Sequence, residues 1–199
     1  MVQLAADPFD RADNADLGTN WTPGPDGFQI VSNAVRPAND SIDSWESFNA
    51  ITWPDNQYSA STLAGVINNG LGEGCGVICR ADTGGAETFY RLVGSGAGWE
   101  LMRSVSGVTV SLGSSATPVF TNGDEIRLNV ITVGANCAWS CKQNGVEFAS
   151  GTDTTPIASG RAGIFYSSPD VGASITSWSG GDFSPDKSWN YYYRGLGAT

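Results

Sequence analysis

Short alternating segments run through the chain, and no long stretch repeats its apolar residues at the 3.6-residue period of a helix. Gln57 to Val66 sets Tyr58, Ala60, Thr62, Ala64 and Val66 on one face, and Asp124 to Val133 alternates Ile126, Leu128 and Val130 inward. Such period-2 runs bounded by turn residues read as half-buried strands. Phe28 to Val31 and Ala34 to Arg36 flank Ser32-Asn33 as a hairpin. Glu87 to Val93, Gly98 to Arg103 and Val108 to Leu112 form a meander whose turns are Gly94-Ser95-Gly96 and Ser106-Gly107. Cys75 to Arg80 is apolar on both faces, which marks an inner strand. Cys137 to Lys142 and Val146 to Ala149 are joined by Asn144-Gly145, a dipeptide suited to a type I′ turn. Arg161 to Tyr166 and Val171 to Trp178 finish the sheets. About a dozen short strands with glycine-rich turns predict an all-β sandwich or jelly roll with almost no helix.

Composition narrows the function. The chain has 199 residues, enough for one domain with a sizeable core. Its formal net charge is −10, which repels phosphate backbones and anionic lipid heads, so nucleic-acid and membrane partners are not expected. Histidine is absent, which removes imidazole bases, Ser-His and Cys-His nucleophile pairs and histidine metal ligands. Met1 to Ala6 lacks the basic and apolar regions of a signal peptide, and no apolar run approaches the roughly 18 residues of a membrane span. A single domain over residues 1–183 and a tail over 184–199 are expected, because Pro185 interrupts the strand pattern.

The opening stretch carries more than strand signals. Asp7-Pro8-Phe9-Asp10-Arg11-Ala12-Asp13 is followed by Leu17-Gly18-Thr19-Asn20-Trp21-Thr22. It resembles the N-terminal signature of concanavalin A-like lectin/glucanase (LamG-like) jelly-roll domains of the kind found in bacteriophage virion proteins. Pro54-Asp55-Asn56-Gln57-Tyr58-Ser59, Thr88-Phe89-Tyr90-Arg91-Leu92, Asn122-Gly123-Asp124-Glu125-Ile126-Arg127-Leu128, Ser159-Gly160-Arg161-Ala162-Gly163 and Trp178-Ser179-Gly180-Gly181-Asp182-Phe183 follow in the order of those domains. The resemblance implies a concanavalin A-like jelly-roll β-sandwich of two antiparallel sheets, with the first and last strands side by side. It also implies a structural virion protein, assembled in the host cytoplasm, that decorates the capsid or sits on the tail. Other virion proteins and further copies of the chain would be its partners, and host surface polysaccharide a further one. A stand-alone carbohydrate-binding module or tail adhesin is the alternative, and an unusual glycanase a third reading. Glucanases of this fold carry an E-x-D-x-x-E strand, and the sequence has none. The nearest cluster, Asp43-Ser44-Trp45-Glu46, has the wrong spacing, and Asp43 and Glu46 are expected in a solvated loop. Catalysis is therefore not expected. Related domains often bind calcium; Asp10, Asp13 and Asp182 would be its ligands if the termini pair, although no EF-hand spacing supports this. No other cofactor is indicated.

Three groups of residues stand out as candidate sites. Trp45, Asn49, Trp53, Asp55 and Asn56 combine aromatic platforms with hydrogen-bonding side chains, as a sugar site requires. In the tail, Trp189, Tyr191, Tyr192, Tyr193 and Arg194 have the composition of an interface hot spot, so the segment reads as a docking arm or as a cover for its own sandwich. Cys75/Cys79 and Cys137/Cys141 are two C-x3-C pairs on strand-like segments. Within each pair the residues lie roughly 13 Å apart, too far for a disulfide. If the two segments are antiparallel neighbours, Cys75–Cys141 with Cys79–Cys137 are the possible bridges; if they are parallel or packed opposite each other, Cys75–Cys137 with Cys79–Cys141 are. Reduced core thiols and a metal site are the alternatives.

Overall fold

The computed structural model describes residues 1–39, 41–66, 70–82, 87–167 and 172–183. No helix occurs among the described residues. The eight-stranded sheet runs β13 (Val146–Asp153), β12 (Asn136–Gln143), β11 (Glu125–Val133), β6 (Gln57–Leu63), β15 (Ile175–Asp182), β4 (Ala34–Pro37) and β3 (Phe28–Val31). β1 (Val2–Asp7) also pairs with β15, so the first and last strands lie side by side. The seven-stranded sheet runs β10 (Val108–Ser115), β9 (Gly98–Val105), β8 (Phe89–Ser95), β7 (Gly74–Ala81), β14 (Arg161–Ser167), β5 (Ser44–Phe48) and β2 (Trp21–Pro23). Every pairing among the described residues is antiparallel. This is the expected all-β sandwich. The docking candidates Trp189, Tyr191, Tyr192, Tyr193 and Arg194 lie outside the described residues.

The sheets bury one main core between them. Val77 of β7, Leu92 of β8, Ile126 and Leu128 of β11, Ile164 of β14 and Trp178 of β15 meet there. Alternation along each strand sends these side chains to the shared face. One end of the core is aromatic: Trp21 meets Phe9, Phe48 and Trp178 at centroid distances of 5.8, 5.4 and 4.9 Å.

The opening motif is a clasp around this aromatic end. Asp7 closes β1 facing the core. Its Oδ1 accepts the Phe9 N–H (2.9 Å) and Arg11 Nη1 (2.6 Å), and its Oδ2 accepts Trp21 Nε1 (3.0 Å). Arg11 Nη2 donates to the Leu17 carbonyl at 2.9 Å. The buried carboxylate therefore has partners on both oxygens, as burial demands. The spacing of Asp7, Arg11, Leu17 and Trp21 is that of one hydrogen-bonded corner.

Two polar ties hold the sheets together at other points. Tyr90 on β8 donates its hydroxyl to Asp153 Oδ2 of β13 (2.8 Å), and Arg103 on β9 donates to Asp153 Oδ1 (2.7 Å). The Thr155 N–H (3.0 Å), together with these bonds, holds the Asp153 carboxyl below its ordinary range against the opposing effect of burial. Arg80, at the end of β7, is 1 % exposed. Its Nε and Nη2 donate to the Asp55 carbonyl (3.1 and 2.8 Å), Nη1 to the Ile157 carbonyl (2.5 Å) and Nη2 to Thr132 Oγ1 of β11 (2.8 Å).

Two expectations are corrected. Residues 44–48 form β5, an inner strand buried along its length, and not a solvated loop. The four cysteines form no disulfide and are buried in the main core. β7 and β12 belong to opposite sheets, so the antiparallel neighbours needed for Cys75–Cys141 with Cys79–Cys137 do not exist, and the pairing open to strands packed opposite each other, Cys75–Cys137 with Cys79–Cys141, is not formed. Facing sheets stand about 10 Å apart. Burial pushes the Cys79, Cys137 and Cys141 thiols upward, as apolar surroundings do.

Candidate functional site

β5 is positioned between β14 and β2, and its alternation splits the Trp45-Glu46 dipeptide across the sheet. Trp45 points outward and Glu46 points toward the core side. Glu46 is 3 % exposed, and its Oε1 accepts the Phe28 N–H at 2.7 Å. Burial, with the nearby Asp16 carboxylate adding to it, raises the Glu46 carboxyl from 4.5 to about 7, against the lowering effect of the Phe28 bond.

Glu46 lines a pocket of about 300 Å3, whose other walls are the loop from Ala15 to Gly18, the Trp21 ring and the Pro23–Phe28 corner. That corner approaches closely on both sides of β5. Gly27 takes φ +62°, and a Cβ there would lie 3.0 Å from Glu46 Oε1. Gly24 donates its N–H to the Trp45 carbonyl at 2.7 Å, and a Cβ on Gly24 would lie 2.7 Å from the Trp45 ring. Trp45 thus braces the corner from outside while Glu46 meets it from inside. A carboxylate titrating near neutrality in a cleft, with Asp16 and Asp26 also on its walls, can accept hydrogen bonds from ligand hydroxyls.

Sequence reasoning passed over Glu46, because a lone acid beside Asp43 looked like part of a solvated turn. The signal was present in Ser44-Trp45-Glu46-Ser47-Phe48, where bulky apolar residues on both faces leave no solvated side for the glutamate.

The five residues expected to form a glycan platform are not brought together. Trp45 is 9 % exposed and packs edge-on against Phe89 on the outer face of the seven-stranded sheet (centroids 5.2 Å). That face also holds Phe165, Ile78 and Val93, with Arg91 stacked over Phe165 at 4.6 Å and ion-paired to Asp43 at 2.8 Å. Trp53 instead packs against Trp178 of the main core at 6.0 Å and donates Nε1 to the Phe48 carbonyl (2.7 Å). Asn49 donates Nδ2 to Thr22 Oγ1 (2.9 Å), and Asn56 Oδ1 accepts the Thr132 N–H (2.8 Å). Asp55 is exposed, and its carbonyl serves Arg80. These polar groups tie residues 49–56 to the sandwich.

Asp10, Asp13 and Asp182 do not form a metal-holding group among the described residues. Asp13 Oδ1 accepts the Ser32 N–H at 2.7 Å, and no group of three acidic or thiol side chains able to hold a metal occurs among the described residues.

No family model matches the sequence, and no curated protein is significantly similar to it. Solved structures do resemble it. The carbohydrate-binding module CBM66 from Bacillus subtilis superposes with a TM-score of 0.57 at 13% identity, covering 84% of this chain and 95% of that one. The fold is the concanavalin A-like jelly roll. The legume lectin-like domain from Entamoeba histolytica matches it with a TM-score of 0.53 at 14% identity, over 83% of this chain and 91% of that one. The Ca2+/Man2-bound VIP36 exoplasmic/lumenal domain matches with a TM-score of 0.56 at 9% identity, over 89% and 88%. At these identities the likeness concerns architecture.

Proposed function

We propose that the chain is a non-catalytic carbohydrate-binding sandwich that takes a sugar unit in the Glu46 pocket. The observation that carries this reading is a carboxylate 3 % exposed at the wall of an open pocket, its Oε1 held by the Phe28 N–H. Ionised, such a carboxylate accepts hydrogen bonds from neighbouring sugar hydroxyls, and charge-assisted bonds are the stronger kind. Trp21 offers an apolar wall for a ring face. The pocket's volume is at the low end for small-ligand sites, which favours a terminal monosaccharide unit over an extended chain. Solved structures of similar fold include a carbohydrate-binding module and a mannose-bound domain, which supports the same reading. No paired-carboxylate strand supplies an acid and a nucleophile, so binding without hydrolysis is the chemistry proposed.

A glycan array followed by calorimetry on the best hit tests this. Glu46→Gln and Asp16→Asn are each expected to weaken binding at least tenfold, about 1.4 kcal/mol. Unchanged affinity in both variants would remove the pocket from the account, and a chain that binds no glycan would remove the function.

The setting we propose is the surface of a phage particle, supported by the resemblance of Asp7–Thr22 and the later motifs to virion domains. Peptides of this chain should then appear stoichiometrically in purified particles, and their absence there would reject the setting while leaving the binding reading intact.

A further inference from the structure

The free edge of the seven-stranded sheet is chemically unlike the rest of the surface. Among the described residues β10 ends that sheet and pairs with β9 alone. Residues 104–123 contain no charged side chain, in a chain whose net charge is −10. Edge strands are ordinarily blunted by charge, proline or brevity. β13, the corresponding edge of the other sheet, carries Glu147 and Asp153; β2 is three residues long and ends in Pro23. β10 has eight residues and neither a charge nor a proline. On one face of the β9–β10 hairpin, Val105, Val108 and Val110 are 43, 70 and 43 % exposed.

The register says which groups are free. Ser106 and Gly107 have φ +51° and +79°, which makes a two-residue turn of type I′. The flanking Val105–Val108 pair is then the hydrogen-bonded one, and pairs alternate from there. Thr109 opposite Ser104 and Ser111 opposite Met102 are non-hydrogen-bonded pairs, so the backbone N–H and C=O of Thr109 and Ser111 point away from β9. A bulge between Ser111 and Gly113 ends the regular stretch.

We propose that this edge pairs with the same edge of a second copy, antiparallel about a two-fold axis, to join two seven-stranded sheets. A two-fold axis normal to the sheet keeps each face on its own side, so Val110 falls opposite its own copy. Thr109 then exchanges both backbone bonds with the partner's Ser111, and Ser111 with the partner's Thr109. The valines meet on one face. A second copy is the occupant because the strand is complementary to itself in this register, and because an uncharged edge is where two chains of charge −10 approach with least repulsion. The inference is independent of the sugar pocket.

Light scattering after size exclusion of the full chain, over a dilution series, tests it with Thr109→Pro and Val110→Lys. Proline at residue 109 removes an N–H that β9 does not use, so the hairpin stays intact while the inter-chain ladder is blocked. Lysine at residue 110 places two like charges at the axis. The wild type is expected to run as a dimer that dissociates on dilution, and both variants as monomers with unchanged circular dichroism. Val146→Lys, on the β13 edge, should leave the dimer in place. If Thr109→Pro alters the fold, Val110→Lys decides alone. A wild type that is monomeric throughout, a dimer that survives Val110→Lys, or open-ended growth into larger species would each overturn the proposal.

Discussion

Arg80→Ala should be the most damaging single substitution in the sandwich, lowering stability by about 4 kcal/mol. Its guanidinium joins β7 to the connections at Asp55 and Ile157 and, through Thr132, to the opposite sheet. Hydrogen bonds to a charged group contribute roughly 1.5–3 kcal/mol each, offset in part by the cost of keeping a cation out of water. The variant would leave the Ile157 carbonyl, its partner at 2.5 Å, without that donor. For a domain of this size about 4 kcal/mol corresponds to a melting temperature lower by about 8–16 °C. Arg80→Lys should recover less than half of the loss, because an ammonium lacks the planar fork that reaches three carbonyl and hydroxyl partners at once. Arg161→Ala is the control: Arg161 Nη1 donates to Thr22 Oγ1 (3.0 Å) at a partly buried position, and the change should stay within about 0.5 kcal/mol. Urea melts of the three variants measure this. An Arg80→Ala protein as stable as Arg161→Ala would mean that packing alone holds the sheets together at this end.

Arg80 also shows where reading the sequence stopped short. It closes the Cys75–Arg80 run, whose inner-strand character was legible because both faces are apolar. Nothing local says that its side chain folds inward to carbonyls 25 and 77 residues away. Hairpins were legible for the opposite reason: Ser32-Asn33 and Asn144-Gly145 adopt positive φ, and residue chemistry alone selects that. The Asp7–Trp21 motif was legible as a signature, but its meaning as a carboxylate clasp needed the fold. β5 was misjudged because serine and glutamate mark surface loops when they stand among polar residues, whereas here a strand buried on both faces imports them. The glycan candidates are dispersed for a related reason. Trp45 and Trp53 are eight residues apart in sequence, but β5 alternation sends the first to the outer face, while the connection after Phe48 returns the second to the main core. The cysteines had the correct face and the wrong neighbour, since strand periodicity fixes a face and cannot say which sheet a strand joins.

Glu46→Gln should stabilise the protein at alkaline pH and leave it unchanged in acid. The native carboxyl titrates at about 7 against 4.5 in its ordinary state. Between those values the folded chain holds a proton that the unfolded chain has released, so stability falls as pH rises through the window. The contribution is fully present below about 4.5 and is lost by about 7, a change of about 3 kcal/mol. Glutamine keeps an amide oxygen for the Phe28 N–H and carries no charge to bury. Urea unfolding at pH 4 and pH 8 should give coincident midpoints at the lower pH and a variant more stable by about 2–3 kcal/mol at the higher. Parallel pH profiles for the two proteins would show that Glu46 ionises freely and is not the buried group described here. The expected gain bears on function. A carboxylate that weakens the fold at neutral pH, where a neutral amide would fit, is the stability–activity conflict expected of a binding group. If the pocket takes a sugar through the ionised form, wild-type affinity should rise with pH across the window in which stability falls, and Glu46→Gln should flatten both slopes. A glutamate that merely fills the core would give the stability slope alone.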